Sequence, residues 1–205
     1  MATVALAGLG LTLPFAGAQA VDLITNGGFE SLTNGPGQLG YTTNAAGWTT
    51  SGYNFVFASG TADTTGSTGS YGALILWGPA DGSNNGLPAS SPAGGNFVGA
   101  DGAFEVGAIT QVISGLTVGH QYAVSFWWAG AQQDGFTGTN TEQWDVSLGS
   151  ETQDTAVLTN TSHGFTAGSV RRSPSPRTAP ATCSPSSRLA RPTAYRLSRC
   201  STALR

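Results

Sequence analysis

Few residues in this chain carry side chains that can do chemistry. The only two histidines are His120, just after a Gly turn, and His163, in a polar stretch. Neither accompanies a G-x-S-x-G or an H-E-x-x-H pattern, so the sequence offers no recognisable nucleophile with its base and no zinc-protease helix. No cysteine occurs before Cys183, which leaves a soft-metal site without ligands. Glu142 and Asp145 are acids of the kind that flank a scissile glycosidic bond. Three positions apart on a strand, however, they point to opposite faces. These residues predict a protein without catalytic activity.

Binding chemistry is better provided for. All eleven acids lie between Asp22 and Asp154, and the eight basic residues are arginines from Arg171 onward, with no lysine anywhere. The stretch before residue 171 therefore carries a formal −11 and the remainder +8. Such a body repels phosphates, which excludes nucleic acid as a partner. Carboxylates without cationic neighbours suit a hard divalent cation such as calcium, or simply form a solvated acidic surface. Aromatic side chains amid many Asn and Gln suit a polysaccharide, whose sugar faces stack on rings while amides take the hydroxyls. Strand parity sorts these aromatics. Trp128 shares a face with Tyr122, Val124 and Phe126 and is expected in the core, whereas Trp127 lies on the opposite face beside Ser125. Trp127, Trp48, Tyr53 and Trp77 form the candidate ligand set, with the polar loops 31–47 and 78–95 as a rim.

The elements that must position them read as strands. Glycine is abundant, at 30 residues, and short apolar runs alternate with Gly/Asn/Ser/Pro turns, so the prediction is an all-β, antiparallel sandwich. Strands are expected at Val21–Thr25, Trp48–Thr50, Tyr53–Ala58, Tyr71–Trp77, Ala108–Ile113, His120–Ala129 and Glu142–Leu148. In the last of these, Trp144, Val146 and Leu148 share one side.

Composition changes abruptly near residue 168. Glycine stops at Gly168, while five of the ten prolines and both cysteines follow Val170. As written, residues 169–205 predict an irregular tail that cannot bury a core. The genetic code suggests a shifted reading frame. If serines are TCN and arginines CGN, codons begun one nucleotide earlier turn every serine into Phe, Leu, Ile or Val. Ser173 and Ser175 then become apolar with small or polar residues between them, as on a strand. Cys183, Ser184, Ser186 and Ser187 also become apolar, and 194–203 can read Gly-Leu-Pro-Pro-Val-Ala-Leu-Leu-Asp-Gly. In this reading the chain as written lacks its last strands. At the other end, Val4–Ala18 is apolar and closes with Ala18-Gln19-Ala20, the pattern of a signal peptide over residues 1–20, which implies export. The run is too short and glycine-rich for a membrane span.

Asp22-Leu23-Ile24-Thr25-Asn26-Gly27-Gly28-Phe29-Glu30, with Gly47-Trp48, resembles the opening of galactose-binding-like jelly-roll domains. Gly115-Leu116-Thr117-Val118-Gly119-His120-Gln121-Tyr122, then Ser125-Phe126, is similar to their central hairpin. With Gly99-Ala100-Asp101-Gly102, these stretches resemble exported bacterial proteins of the PEP-CTERM group, although the Pro-Glu-Pro motif, apolar span and basic cluster that end such proteins do not occur here. The resemblance implies a jelly-roll domain over residues 21–168, secretion to the cell surface or extracellular matrix, and polysaccharide as a partner. It also implies a structural calcium near Glu30, completed by an Asp from the last strand. A matrix protein without sugar affinity and a carbohydrate-active hydrolase are the alternatives.

Overall fold

Glycine-centred turns cut the chain into short extended segments, and each is stable only when its backbone groups find partners in a neighbouring segment. The computed structural model describes residues 22–117 and 122–168, together with the backbone of four strands beyond them. The signal-peptide stretch 1–20, His120 and Cys200 lie outside the described residues. The strands are β1 (Gly37–Gln38), β2 (Thr49–Thr50), β3 (Asn54–Phe57), β4 (Ser67–Gly69), β5 (Gly72–Leu74), β6 (Phe97–Asp101) and β7 (Ile109–Gln111). They continue with β8 (Tyr122–Phe126), β9 (Ala129–Ala131), β10 (Asn140–Leu148), β11 (Glu151–Asp154), β12 (Leu158–Asn160) and β13 (Phe165–Ala167). The last four are β14 (Arg171–Ser175), β15 (Ala181–Ser186), β16 (Thr193–Arg196) and β17 (Ser201–Leu204). A single 3-10 turn at Pro79–Asp81 is the one helical element among the described residues.

The strands form an all-β sandwich of antiparallel sheets. One sheet runs β1-β3-β6-β16-β9-β13, a second runs β11-β10-β15-β7-β2 with β12 also on β10, and a third runs β14-β8-β17. Strands β4 and β5 make a separate hairpin. Alternation places the core. Val56, Val98 and Ala100 join Ile109, Tyr122, Val124, Phe126, Trp128, Trp144, Val146 and Leu148 in one buried cluster. Phe55, Phe57 and Phe97, next to them along β3 and β6, point into a second cluster with Leu74, Leu76, Leu87, Ala129 and Ala131. The sheet containing β3 and β6 is thus covered on both faces.

Two sequence expectations change. Val21–Thr25 is not a strand in its described part. Its backbone is partnered by a side chain instead: Thr25 N–H donates to Gln111 Oε1 at 2.9 Å, and Gln111 Nε2 donates to Thr25 O at 2.8 Å. The amide of Gln111 thereby stands in for a neighbouring strand. The tail, expected to be irregular and to leave the last strands missing, runs instead through strands β14–β17. Strand β15 lies between β10 and β7, β16 between β6 and β9, and β14 and β17 flank β8. Ladder bonds use backbone groups that almost every residue owns, so open strand edges accept even a poor sequence. Proline is the exception, because it lacks the donor. Pro174 lies on the edge strand β14, and Pro185 lies beyond the stretch of β15 that pairs with β7.

The register bears on the frame question. Ser173 pairs with Val124 and Ser175 with Tyr122, and both of these β8 residues are buried. The double substitution Ser173→Val with Ser175→Val is therefore expected to raise Tm by about 5 °C or more, read by calorimetry. An unchanged or lower Tm would contradict the shifted-frame reading.

Candidate functional site

Tyr53 stands immediately before β3, and its backbone groups are bonded to the end of β6 and to the segment that follows it. Its N–H donates to Glu105 O at 2.8 Å, and its carbonyl accepts from Asp101 N–H at 3.1 Å. That close approach needs glycine. A Cβ at Gly52, where φ is +84°, would run into the Glu105 carbonyl, and one at Gly107 into the Ser51 carbonyl. The turn between β4 and β5 brings Tyr71 alongside, and the loop after β9 brings Gln133 and Phe136.

Together Tyr53, Tyr71, Asp101, Phe104, Gln133 and Phe136 line a cleft of about 150 Å³. An apolar cavity of roughly that volume holds a benzene molecule, so the space suits one six-membered ring. Three of the rings pack as a single wall: Tyr53 and Phe104 edge-to-face at 5.1 Å, Tyr71 and Phe104 edge-to-face at 5.4 Å, and Tyr53 and Tyr71 tilted at 5.9 Å. Tyr53 is buried at the base, whereas Tyr71 is 67% and Phe104 37% exposed. Large apolar surface left in water around a concavity marks a binding site more reliably than buried rings do.

The polar groups are carboxylates and an amide. Asp101 Oδ1 accepts from the N–H groups of Ala103 and Phe104, which holds the Phe104 turn in place. Glu105 Oε1 lies 3.2 Å from the Tyr71 hydroxyl, which donates to it. These charges are felt at the tyrosines. Burial raises the Tyr53 pKa, followed by the charges of Asp101 and Glu105, and the charge of Glu105 raises that of Tyr71.

Of the residues expected to bind ligand, Tyr53 lies in this cleft. Trp77 sits behind it as a support: its Nε1 donates to Phe136 O at 2.8 Å, and its ring stacks on His163 at 3.8 Å. Trp48 is in the core, stacked on Phe29 at 4.8 Å with Nε1 donating to Asn26 O. Trp127 is exposed between β8 and β9, away from the cleft lining. Tyr71, Phe104, Phe136, Asp101 and Gln133 were not anticipated. Tyr71, Phe104 and Phe136 each lie within two residues of a glycine in a turn, outside strand alternation, and that placement was the available signal. The loops 31–47 and 78–95 contribute nothing to the lining.

Glu30 lines a separate open depression of about 450 Å³ with Asp22, Asn26 and the backbone of Gly27–Gly28 and Ala93–Gly95. Its Oε1 accepts from Asn96 N–H at 2.6 Å, and Asp22 Oδ1 accepts from Ile24 N–H. Two carboxylates fall short of the six to eight oxygens that calcium takes, so the rest would have to come from backbone carbonyls. Among the described residues no group of three or more His, Cys, Asp or Glu converges to hold a metal.

No protein-family model and no curated protein sequence matches the chain. Among solved structures it aligns with TmCBM61 in complex with β-1,4-galactotriose, at 14% identity over 91% of this chain and 99% of that one, with a TM-score of 0.45. It also aligns with the enzymatically active domain of bacteriophage CBA120 tailspike protein 4, at 15% identity over 90% of this chain, with a TM-score of 0.39. The chain spans 21% of that tailspike structure.

One titratable group lies deeper. Glu142 faces inward on β10, with 1% of its surface exposed, and accepts from Asn140 Nδ2 at 2.8 Å. Asp145, on the other face of the same strand, is half-buried, so the two acids do not form a catalytic pair. Burial pushes the Glu142 pKa well above the usual 4.5, the Asp101 charge adds to this, and the Asn140 hydrogen bond opposes it. Because the folded state holds this proton more tightly than the unfolded chain, stability falls as pH rises from about 4.5 toward the raised value. Glu142→Gln keeps an acceptor for Asn140 and removes the ionisation. It should raise Tm at neutral pH, with the gain over wild type vanishing below about pH 4. Parallel melts across pH check this, and a variant gain independent of pH would contradict it.

Proposed function

We propose that this protein is a non-catalytic carbohydrate-binding protein that takes polysaccharide in the aromatic cleft of Tyr53, Tyr71, Phe104 and Phe136. The observation that carries this reading is the exposure of Tyr71 and Phe104 over a ring-sized space that also contains Asp101 and Gln133. A sugar ring offers an apolar face and a rim of hydroxyls. The ring wall suits the first, and the Asp101 carboxylate and Gln133 amide suit the second. Supporting a non-catalytic reading, Glu142 is buried, and its methylene groups fill the space that a side chain at Gly130 of β9 would need.

The setting we infer is secretion to the cell surface or matrix, consistent with the signal-like stretch 1–20 and the resemblance to PEP-CTERM-group proteins. We also infer that residues after about Gly168 were read out of frame. The pairing of Ser173 and Ser175 with buried Val124 and Tyr122 supports this, because those are positions that the neighbouring frame makes apolar. Resequencing codons 164–172 tests it, and an intact frame would refute it.

For the binding reading, Tyr71→Ala and Phe104→Ala are expected each to weaken oligosaccharide binding by ~10-fold or more in calorimetric titration, the magnitude that stacking on an aromatic ring supplies. Trp127→Ala, outside the cleft, is the control and should leave affinity unchanged. Loss at Trp127 with no loss at Tyr71 and Phe104 would move the site elsewhere.

A further inference from the structure

The cleft is a stacking surface with two carboxylates built into it, and the charge is as much a part of its recognition as the rings. Asp101 lies in the lining, and Glu105 holds the hydroxyl of Tyr71 at the rim. Glu105 is exposed, and its Oε1 lies 3.2 Å from the Tyr71 hydroxyl, beside the ring wall. Between residues 22 and 168 the sequence contains no lysine or arginine.

We infer that the cleft selects a sugar carrying a protonated amine, a deacetylated hexosamine unit, over a neutral or acidic one. This deepens the carbohydrate reading and rests on it. Three features of the cleft fit such a ring. The cavity of about 150 Å³ matches one ring. The exposed ring surface of Tyr71 and Phe104 attracts a cation through the ring quadrupole as well as offering apolar contact to the sugar. Glu105, exposed at the edge, offers its carboxylate for a charge-assisted hydrogen bond to the ammonium. A uronate ring would place a third carboxylate beside Asp101 and Glu105 and be repelled.

The test uses two β-1,4-linked tetramers that differ only at the second carbon of each ring, glucosamine tetramer and glucose tetramer, together with galacturonate tetramer. Affinity is measured by calorimetry on the full chain at about pH 6, below the range in which an amine of α-amino type loses its proton. The glucosamine tetramer is expected to bind about tenfold more tightly than the glucose tetramer, with a preference that shrinks as salt is raised, and the galacturonate tetramer least of all. Glu105→Gln should bring the first two affinities together. Tyr71→Phe, which removes the hydroxyl that positions Glu105 but keeps the ring, should reduce the preference more than it reduces stacking. Thermal melts confirm that both variants are folded.

Equal affinity for glucosamine and glucose tetramers, both lost in Tyr71→Ala, would overturn the amine preference while leaving carbohydrate binding in place. A preference that survives Glu105→Gln would overturn it as well. Absence of binding to every tetramer and to polysaccharide generally would remove both readings together.

Discussion

Both backbone groups of Tyr53 are held by the end of β6 and the loop that follows it, and the site depends on that clamp. The N–H reaches Glu105 O and the carbonyl takes Asp101 N–H. Two glycines make it sterically accessible, since side chains at positions 52 and 107 would collide with the opposing backbone. Asp101 continues the same logic by capping the N–H groups of Ala103 and Phe104. Phe104 is thereby held against Tyr53, and Glu105 comes within reach of the Tyr71 hydroxyl. A rigid strand end, a glycine contact and one carboxylate cap turn three loop aromatics into an ordered wall.

The covered sheet explains why this wall stands where it does. Phe55, Phe57 and Phe97 point away from the main core into a second apolar cluster, completed by Leu74 of β5 and by Leu76 and Leu87. Tyr53 extends this cluster outward through its edge contact with Phe55 at 4.5 Å. The cleft is the open end of a buried layer, and its rings gain their rigidity from that layer. Trp77 plays a related part on the opposite wall, tying the Phe136 turn to the body through its indole N–H. Such supports let exposed rings bind without a large ordering cost.

The sequence showed much of the scaffold and little of the site. Alternation assigned Tyr122, Val124, Phe126 and Trp128 to one buried face, and Trp144, Val146 and Leu148 to another, because a period of two maps directly onto a half-buried strand. Alternation is silent where strands end. Trp48 and Trp77 read as ligand candidates by residue type alone, yet one is core and the other a support, because tryptophan serves packing and binding with the same ring. Tyr71, Phe104 and Phe136 come together from three separate turns, a meeting that no local pattern encodes. The tail shows the reverse mismatch. Its composition is that of an irregular segment, yet its backbone runs in strands at the open edges of β6, β7, β8, β9 and β10, since ladder pairing is nearly blind to side chains.

The claim at the centre of this account is that loop aromatics at one end of the second core cluster form the sugar site. The most direct measurement is an NMR titration that follows aromatic side-chain resonances as an oligosaccharide is added. Shifts are expected to concentrate on Tyr53, Tyr71, Phe104 and Phe136, with Trp48 and Trp127 unmoved. Shifts centred on Trp127, or saturable binding that leaves the cleft rings unperturbed, would contradict it.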